Sequence, residues 1–195
     1  MTGPTQIARP AGEPTGTSAG RAAVLARVDE LVRLVPDYPQ PGVLFRDITP
    51  LLADADAFAA VIAEIAAAVE GPVDLVAGME ARGFLLAAPL AVALGAGVIP
   101  VRKAGKLPGP TVVEHYSLEY GEASVEVHPF TVPAGSRVLV VDDVLATGGT
   151  AAATVRLLEQ CGAHVVGLSF LVELDGLGGR QHLGDHPIDV LVHVP

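Results

Sequence analysis

An α/β fold built on a mostly parallel sheet is what the sequence predicts, and three observations predict it. Short segments at 73–78, 98–102 and 137–142, the last a continuous apolar run over 138–141, have the length and composition of buried parallel strands. Segments with apolar residues at helical spacing alternate with them, which is the rhythm of strand–helix–strand units. The third run ends in Asp142-Asp143 and then turns through Ala146-Thr147-Gly148-Gly149 into Thr150 and a further helical segment. In open α/β sheets, ligands bind beyond the carboxyl ends of the strands, so this pair of acids faces a crevice. The glycines let the backbone turn tightly and aim N–H groups at an anion near the helix start. Two acids able to hold hydroxyls or a metal thus stand beside a nest for phosphate. That pairing suits a phosphorylated sugar. The plainer alternative is that the acids merely cap the turn.

Residues 1–20 are rich in Pro, Gly, Thr and Ala without hydrophobic periodicity, so a disordered tail is expected there and a domain over 21–195. Val24, Leu25, Val28, Leu31, Val32 and Val35 share a helical face that Pro36 should end. Pro36 to Pro50 reads as a stiff, proline-punctuated loop carrying Leu44 and Phe45, either a holder for a flat ring or a surface connection. Asp54 has the position of an N-cap, and Phe58, Val61, Ile62, Ile65 and Val69 form the face of its helix, stopped by Gly71-Pro72. After the 73–78 strand come a loop at 79–84 and a helix at 85–94, which Pro89 should kink or start late. Residues 103–121 break the rhythm and read as a long, mobile, hairpin-like excursion of the kind that forms lids. A helix from Thr150 to about Gln160, strands at 165–172 and 189–194, and a glycine-rich loop at 176–184 complete the chain.

Composition narrows the function. The chain has 195 residues, 50% of them apolar, enough for one sizeable core. Its formal net charge of −10 argues against a nucleic-acid surface. Pro, Gly and charges interrupt every apolar run that could span a bilayer, and the N-terminus lacks the apolar core of a signal peptide, so a cytoplasmic protein with no membrane partner is expected. Cys161 is the only cysteine and falls in a helical segment, a structural position. Lysine occurs only at 103 and 106, beside Arg102 in one glycine-containing loop, and Arg82 follows the first strand. A ligand with several negative charges would explain that clustering, while solvated loop charges are the plainer reading. No P-loop, dinucleotide fingerprint or nucleophile elbow is present. His182 and His186 flank a glycine and precede Pro187, which argues against a helical metal pair.

Val138 to Thr150 resembles the phosphoribosyl pyrophosphate signature of the type I phosphoribosyltransferases. The stretches 36–50, 81–84, 102–109 and 116–121 are similar to the adenine phosphoribosyltransferase family, in order and across nearly the whole predicted domain. The resemblance implies the type I phosphoribosyltransferase fold, a twisted sheet flanked by helices with a small N-terminal hood and a mobile lid loop. It implies conversion of adenine and 5-phosphoribosyl-1-pyrophosphate to AMP and pyrophosphate, with Mg2+ bound alongside the sugar substrate, in a homodimer. By match to the family's motifs, Asp142 and Asp143 would hold the ribose hydroxyls, and Ala146, Thr147, Gly148, Gly149 and Thr150 the 5′-phosphate. Ala81, Arg82, Arg102, Lys103 and Lys106 would meet the pyrophosphate. Leu44, Phe45 and Arg46 would read adenine, Val144 would pack on its other face, and Glu119 and Tyr120 would belong to the lid, Glu119 orienting the base or handling its proton. Ala81 stands where the family commonly has Ser, and the family often holds the peptide before it cis, here Glu80–Ala81. Two other functions fit less well: transfer to another purine base, and a non-catalytic regulator that senses the sugar pyrophosphate. The second would call for a DNA-binding module or basic face that this sequence lacks.

Overall fold

The computed structural model describes residues 18–118 and 121–195, and these fall into two compact units, one ending at Glu64 and the other Ile65–Pro195. In the first unit, α1 (Ser18–Leu31) buries Val24 and Val28 and packs against the short α2 (Thr49–Ala53), where Leu51 is buried. Between them β1 (Arg33–Pro36) and β2 (Leu44–Asp47) form an antiparallel pair, with Val35 opposite Phe45. The expected helix therefore stops at Leu31, short of Pro36. Proline disfavours helical backbone in the residue before it, and Val35 instead takes the extended form and finds a strand partner. The turn between β1 and β2 contains a cis Tyr38–Pro39 bond and Asp37 at φ +58°, whose carboxylate accepts the Gly42 N–H at 2.8 Å. The Tyr38 ring meets Phe45 edge-on at 5.1 Å.

The helix α3 (Ala55–Ala68) begins where Asp54 predicts: its Oδ1 accepts the Ala57 N–H at 2.9 Å, satisfying one of the unpaired donors of the first turn. Val61, Ile62 and Ile65 are buried along its face.

The second unit is a seven-stranded sheet in the order β5-β6-β4-β3-β7-β8-β9. Its strands are β3 (Leu75–Met79), β4 (Gly97–Lys103), β5 (Val112–Leu118), β6 (Gly121–Val127), β7 (Arg137–Leu145), β8 (His164–Leu174) and β9 (Ile188–Val194). The five strands from β4 to β9 pair in parallel, while β5 and β6 form a hairpin whose β6 pairs antiparallel with β4. The 103–121 excursion thus contains a full strand, with only its tip at 119–120 outside the described residues. From β3 the chain crosses through α4 (Gly83–Leu94) to β4, and from β7 through α5 (Gly149–Gln160) to β8 on the other side. Right-handed crossovers that step in opposite directions place their helices on opposite faces. The strand order reverses between β3 and β7, so a crevice opens at their carboxyl ends.

Pro89 lies inside α4, which starts at Gly83 and continues past it, so the proline does not delay the helix. The core under α5 joins Val138, Val140, Leu168 and Phe170 of the sheet to Ala153, Leu157 and Leu158 of the helix. Among the described residues, no helix is long and apolar enough to cross a membrane.

Candidate active site

β7 supplies the first wall. Val138, Val140 and Val141 are completely buried, as the apolar run requires. The acids do not end the strand: Asp142 pairs with Phe170, and the ladder runs on to Leu145 opposite Glu173. The long β8 offers partners that extend β7 past its polar residues. Neighbouring side chains on a strand point to opposite faces, and the two acids are separated accordingly. Asp142 lines the crevice, and its Oδ1 accepts the Asp143 N–H at 2.9 Å. Burial, and after it the neighbouring Asp143 carboxylate, pushes Asp142 well above the usual carboxylate range. Asp143 is buried and holds the Arg82 Nε–H on its Oδ2. Gly83 makes this packing possible, because a Cβ there would sit 2.7 Å from the Val141 carbonyl oxygen and 2.9 Å from Asp142 Oδ1.

The turn after β7 closes a crevice of about 100 Å³ lined by Met79, Asp142, Phe170 and every residue from Val144 to Ala151. Gly148 takes φ +79° and its carbonyl accepts the Ala152 N–H at 2.8 Å, so Gly149 and Thr150 open α5 with their own N–H groups free of helix partners. The positive end of the helix dipole adds to the attraction for an anion. Two braces missed by sequence reading hold this cradle. Gly179 lies so close that a Cβ on Gly148 would meet its carbonyl oxygen at 2.3 Å. Arg180, next in the chain, binds the buried Glu173 carboxylate at 2.8 and 2.9 Å and ties that loop to β8. Tyr116 of β5 reaches across to place its hydroxyl 3.0 Å from Thr150 Oγ1. The glycine-rich loop at 176–184 is the sequence signal for the Gly179 brace, and the 116–121 stretch carries no local mark that pairs Tyr116 with Thr150.

The cations gather at the ends of β3 and β4. The Glu80–Ala81 peptide is cis, and Arg82 follows it as the residue before α4. Glu80 accepts the Lys103 N–H at 3.0 Å and the Arg102 Nε–H at 3.2 Å. Burial opposes its charge, yet those donors and the nearby cations hold it below the ordinary carboxylate range. Arg102 also donates to the Lys106 carbonyl at 3.2 Å, and the Lys103 and Lys106 residues are exposed.

Of the residues singled out from sequence, Ala81, Arg82, Arg102, Lys103, Lys106 and the 142–150 stretch belong to this second unit. Leu44, Phe45 and Arg46 lie on β2 of the first unit, and Glu119 and Tyr120 fall outside the described residues. A wider depression of about 310 Å³, lined by Glu70, Ser169, Asp189 and apolar neighbours, contains no cation and no glycine turn of this kind. Glu173, Asp175 and His193 also bring ligand atoms within 4.8 Å of one another, but both Glu173 oxygens are already taken by Arg180.

Comparison with known proteins agrees with this geometry. Residues 48–191 match the family model for the phosphoribosyl transferase domain. Over 165 residues the chain is 56% identical to the adenine phosphoribosyltransferase of Clavibacter michiganensis, covering 85% of this chain and 94% of that protein. The Thermobifida fusca adenine phosphoribosyltransferase is 57% identical over 168 residues, covering 86% and 96%. Among solved structures, the adenine phosphoribosyltransferase of Thermoanaerobacter pseudethanolicus superposes with a TM-score of 0.85 at 48% identity, covering 87% of this chain and 99% of that one. The Saccharomyces cerevisiae enzyme, solved with an imino-altritol bisphosphate and adenine, gives a TM-score of 0.82 at 39% identity over 87% of this chain and 99% of that one.

Proposed function

The chain belongs to the adenine phosphoribosyltransferase family, and on that premise we propose how its residues carry out the reaction. It joins adenine to 5-phosphoribosyl-1-pyrophosphate, forming AMP and releasing pyrophosphate, a purine salvage step. The bond from ribose C1 to the pyrophosphate oxygen breaks, and N9 of adenine forms the new bond to the same carbon.

One observation carries the assignment of roles: β7 delivers Asp142 and the 146–150 turn to the same small crevice. Its free helix N–H groups suit a dianionic 5′-phosphate, and Asp142, lining the same crevice, offers an acceptor for ribose hydroxyls. Asp143 supports that arrangement from behind by holding Arg82. Positive charge develops on the ribose ring as pyrophosphate departs, and to Arg82, Lys103 and Lys106 we assign the task of neutralising the leaving group. Arg102 contributes by holding the loop through the Lys106 carbonyl as well as by its charge. Ala81 offers backbone and a methyl at its position, so a side-chain hydroxyl contact is lost there.

The donor set suits a Mg2+ carried in with the substrate. Among the residues lining the crevice, Asp142 is the one carboxylate, and Mg2+ usually takes one or two protein oxygens while phosphates and water supply the rest. When bound, the ion would offset charge on the pyrophosphate. β2 is the base-reading element in this account. A strand paired along one edge turns alternate backbone groups to its other edge, so we assign Leu44 and Arg46 to offer N–H and C=O groups to an adenine edge while Phe45 supplies a flat apolar face. Val144, which lines the crevice of the second unit, is assigned to adenine by its match to the family's motif. Glu119 and Tyr120 act as lid residues, Glu119 orienting the base or handling its proton; unchanged turnover in an E119Q variant would remove it from the chemistry. Leu85 and Val92, exposed on one face of α4, support a homodimer, which sedimentation would test. A cytoplasmic location belongs to the same reading and is checked by cell fractionation.

The deciding experiment is adenine-dependent release of pyrophosphate from phosphoribosyl pyrophosphate, with hypoxanthine and guanine in parallel. Release with adenine alone is expected. No release with adenine would overturn the reading, and equal rates with the other bases would overturn the role of β2.

A further inference from the structure

Glu126 on β6 is a charged residue that the reaction does not use directly, yet it is only 3% exposed. Its Oε1 accepts the backbone N–H groups of Lys106 and Leu107, each at 2.7 Å, and its Oε2 takes the Thr111 hydroxyl at 3.2 Å. The Gly105 N–H also favours its ionised form. Successive N–H groups turned toward one point, here around Gly105 at φ +82°, form a concave nest for an anion. In this loop the nest is filled from within by a side chain of the same unit. Burial opposes the Glu126 charge, but the four donors outweigh it and hold the carboxyl below its ordinary range.

The loop has further ties. Glu80 holds the Lys103 N–H, Ser124 accepts the Ala104 N–H at 3.0 Å, and Arg102 holds the Lys106 carbonyl. All of them grip the backbone and none uses a lysine side chain. The two ammonium groups are thereby left to face outward from a fixed base.

We propose that Glu126 is the positioning residue of this loop: its carboxylate fixes the backbone of 105–111 so that Lys103 and Lys106 are presented to the anionic leaving group. An ionised carboxylate suits the task because it accepts at both oxygens and donates at neither. Glutamine in its place would aim an NH2 group at one set of donors, and alanine would leave the nest empty. The proposal rests on the pyrophosphate role given to the two lysines above.

E126A and E126Q would be compared with the parent in two assays, with melting temperature as the check on folding. Trypsin cleavage after Lys103 and Lys106 in substrate-free protein reads the anchor itself. Steady-state kinetics read its consequence. For E126A, cleavage faster by about ten-fold and a KM for phosphoribosyl pyrophosphate raised by about ten-fold are expected, since hydrogen bonds to charged groups are worth that much. The KM for adenine should stay within about two-fold, kcat at saturating sugar substrate should fall as the lysines lose their aim at the leaving group, and E126Q should fall between E126A and the parent. Unchanged cleavage, or equal rises in both KM values, would overturn the proposal. If E126A does not fold, T111A, which removes only the hydroxyl contact, carries the same readouts with a shift of about two- to three-fold, and no shift would be equally fatal. The trypsin result stands whether or not adenine is the substrate, so failure of the anchor and failure of the assigned reaction remain distinguishable.

Discussion

Gly148→Ala is the substitution for which the structure gives the sharpest expectation. The residue has φ +79°, where an L side chain costs about 1–2 kcal/mol. A Cβ would also lie 2.3 Å from the Gly179 carbonyl oxygen, 3.0 Å from its carbon and 3.2 Å from its Cα. These are backbone atoms, and the Gly179 loop is tied to β8 through Arg180 and Glu173, so it cannot swing aside as a flexible side chain would. Relieving that overlap needs a backbone shift of about 1 Å, at a further cost of about 1–3 kcal/mol. Together the two effects come to about 3 kcal/mol, or a melting temperature lower by roughly 6–12 °C for a chain of this size. The adjacent Gly149→Ala is the control. Its Cβ would meet nothing nearer than the Tyr116 ring at 3.6 Å, and its backbone is helical, so stability should be unchanged or raised by up to about 1 kcal/mol. Calorimetry of the two variants makes the comparison. A displaced cradle should also lower kcat/KM for phosphoribosyl pyrophosphate by about a hundred-fold in Gly148→Ala. If that variant melts within about 2 °C of the parent and keeps its activity, the bracing of the turn by Gly179 is wrong.

Three further expectations follow from individual side chains. Asp142 is held well above the usual carboxylate range by burial and then by Asp143, so stability is lost as pH rises from the ordinary carboxylate range toward its folded pKa. D142N should therefore melt higher than the parent at neutral pH while losing activity, and the gain should vanish as pH falls into the ordinary carboxylate range; a lower melting temperature at pH 7 would contradict this. Asp74 has the opposite sign: hydrogen bonds from Arg137 lower it from 3.8 to about 2. Its stabilising effect should be present at pH 6 and fade as pH falls toward 2, so melting curves of D74N and the parent should converge in acid. Y116F removes the 3.0 Å contact with Thr150, and a rise of roughly five-fold in KM for phosphoribosyl pyrophosphate is expected, with no change for adenine. An unchanged KM would leave Tyr116 with a packing role alone.

The sequence by itself determined the centre of the site, because its determinants are local. The apolar run at 138–141, the acids after it and the glycine turn into α5 are contiguous, and each follows from short-range rules of strand burial and helix-end chemistry. Asp54 was legible as a cap for the same reason. Tertiary structure decided whatever depended on distant partners. β7 outlasts its acids because β8 is long enough to pair with it, and Val35 leaves the helical pattern for a strand opposite Phe45. Tyr116 and Thr150 stand 34 residues apart in the chain, and Glu126 is separated by 20 from the Lys106 it holds. Such pairings are set by strand order and register. The periodicity of a single segment carries no record of which other segment will lie beside it.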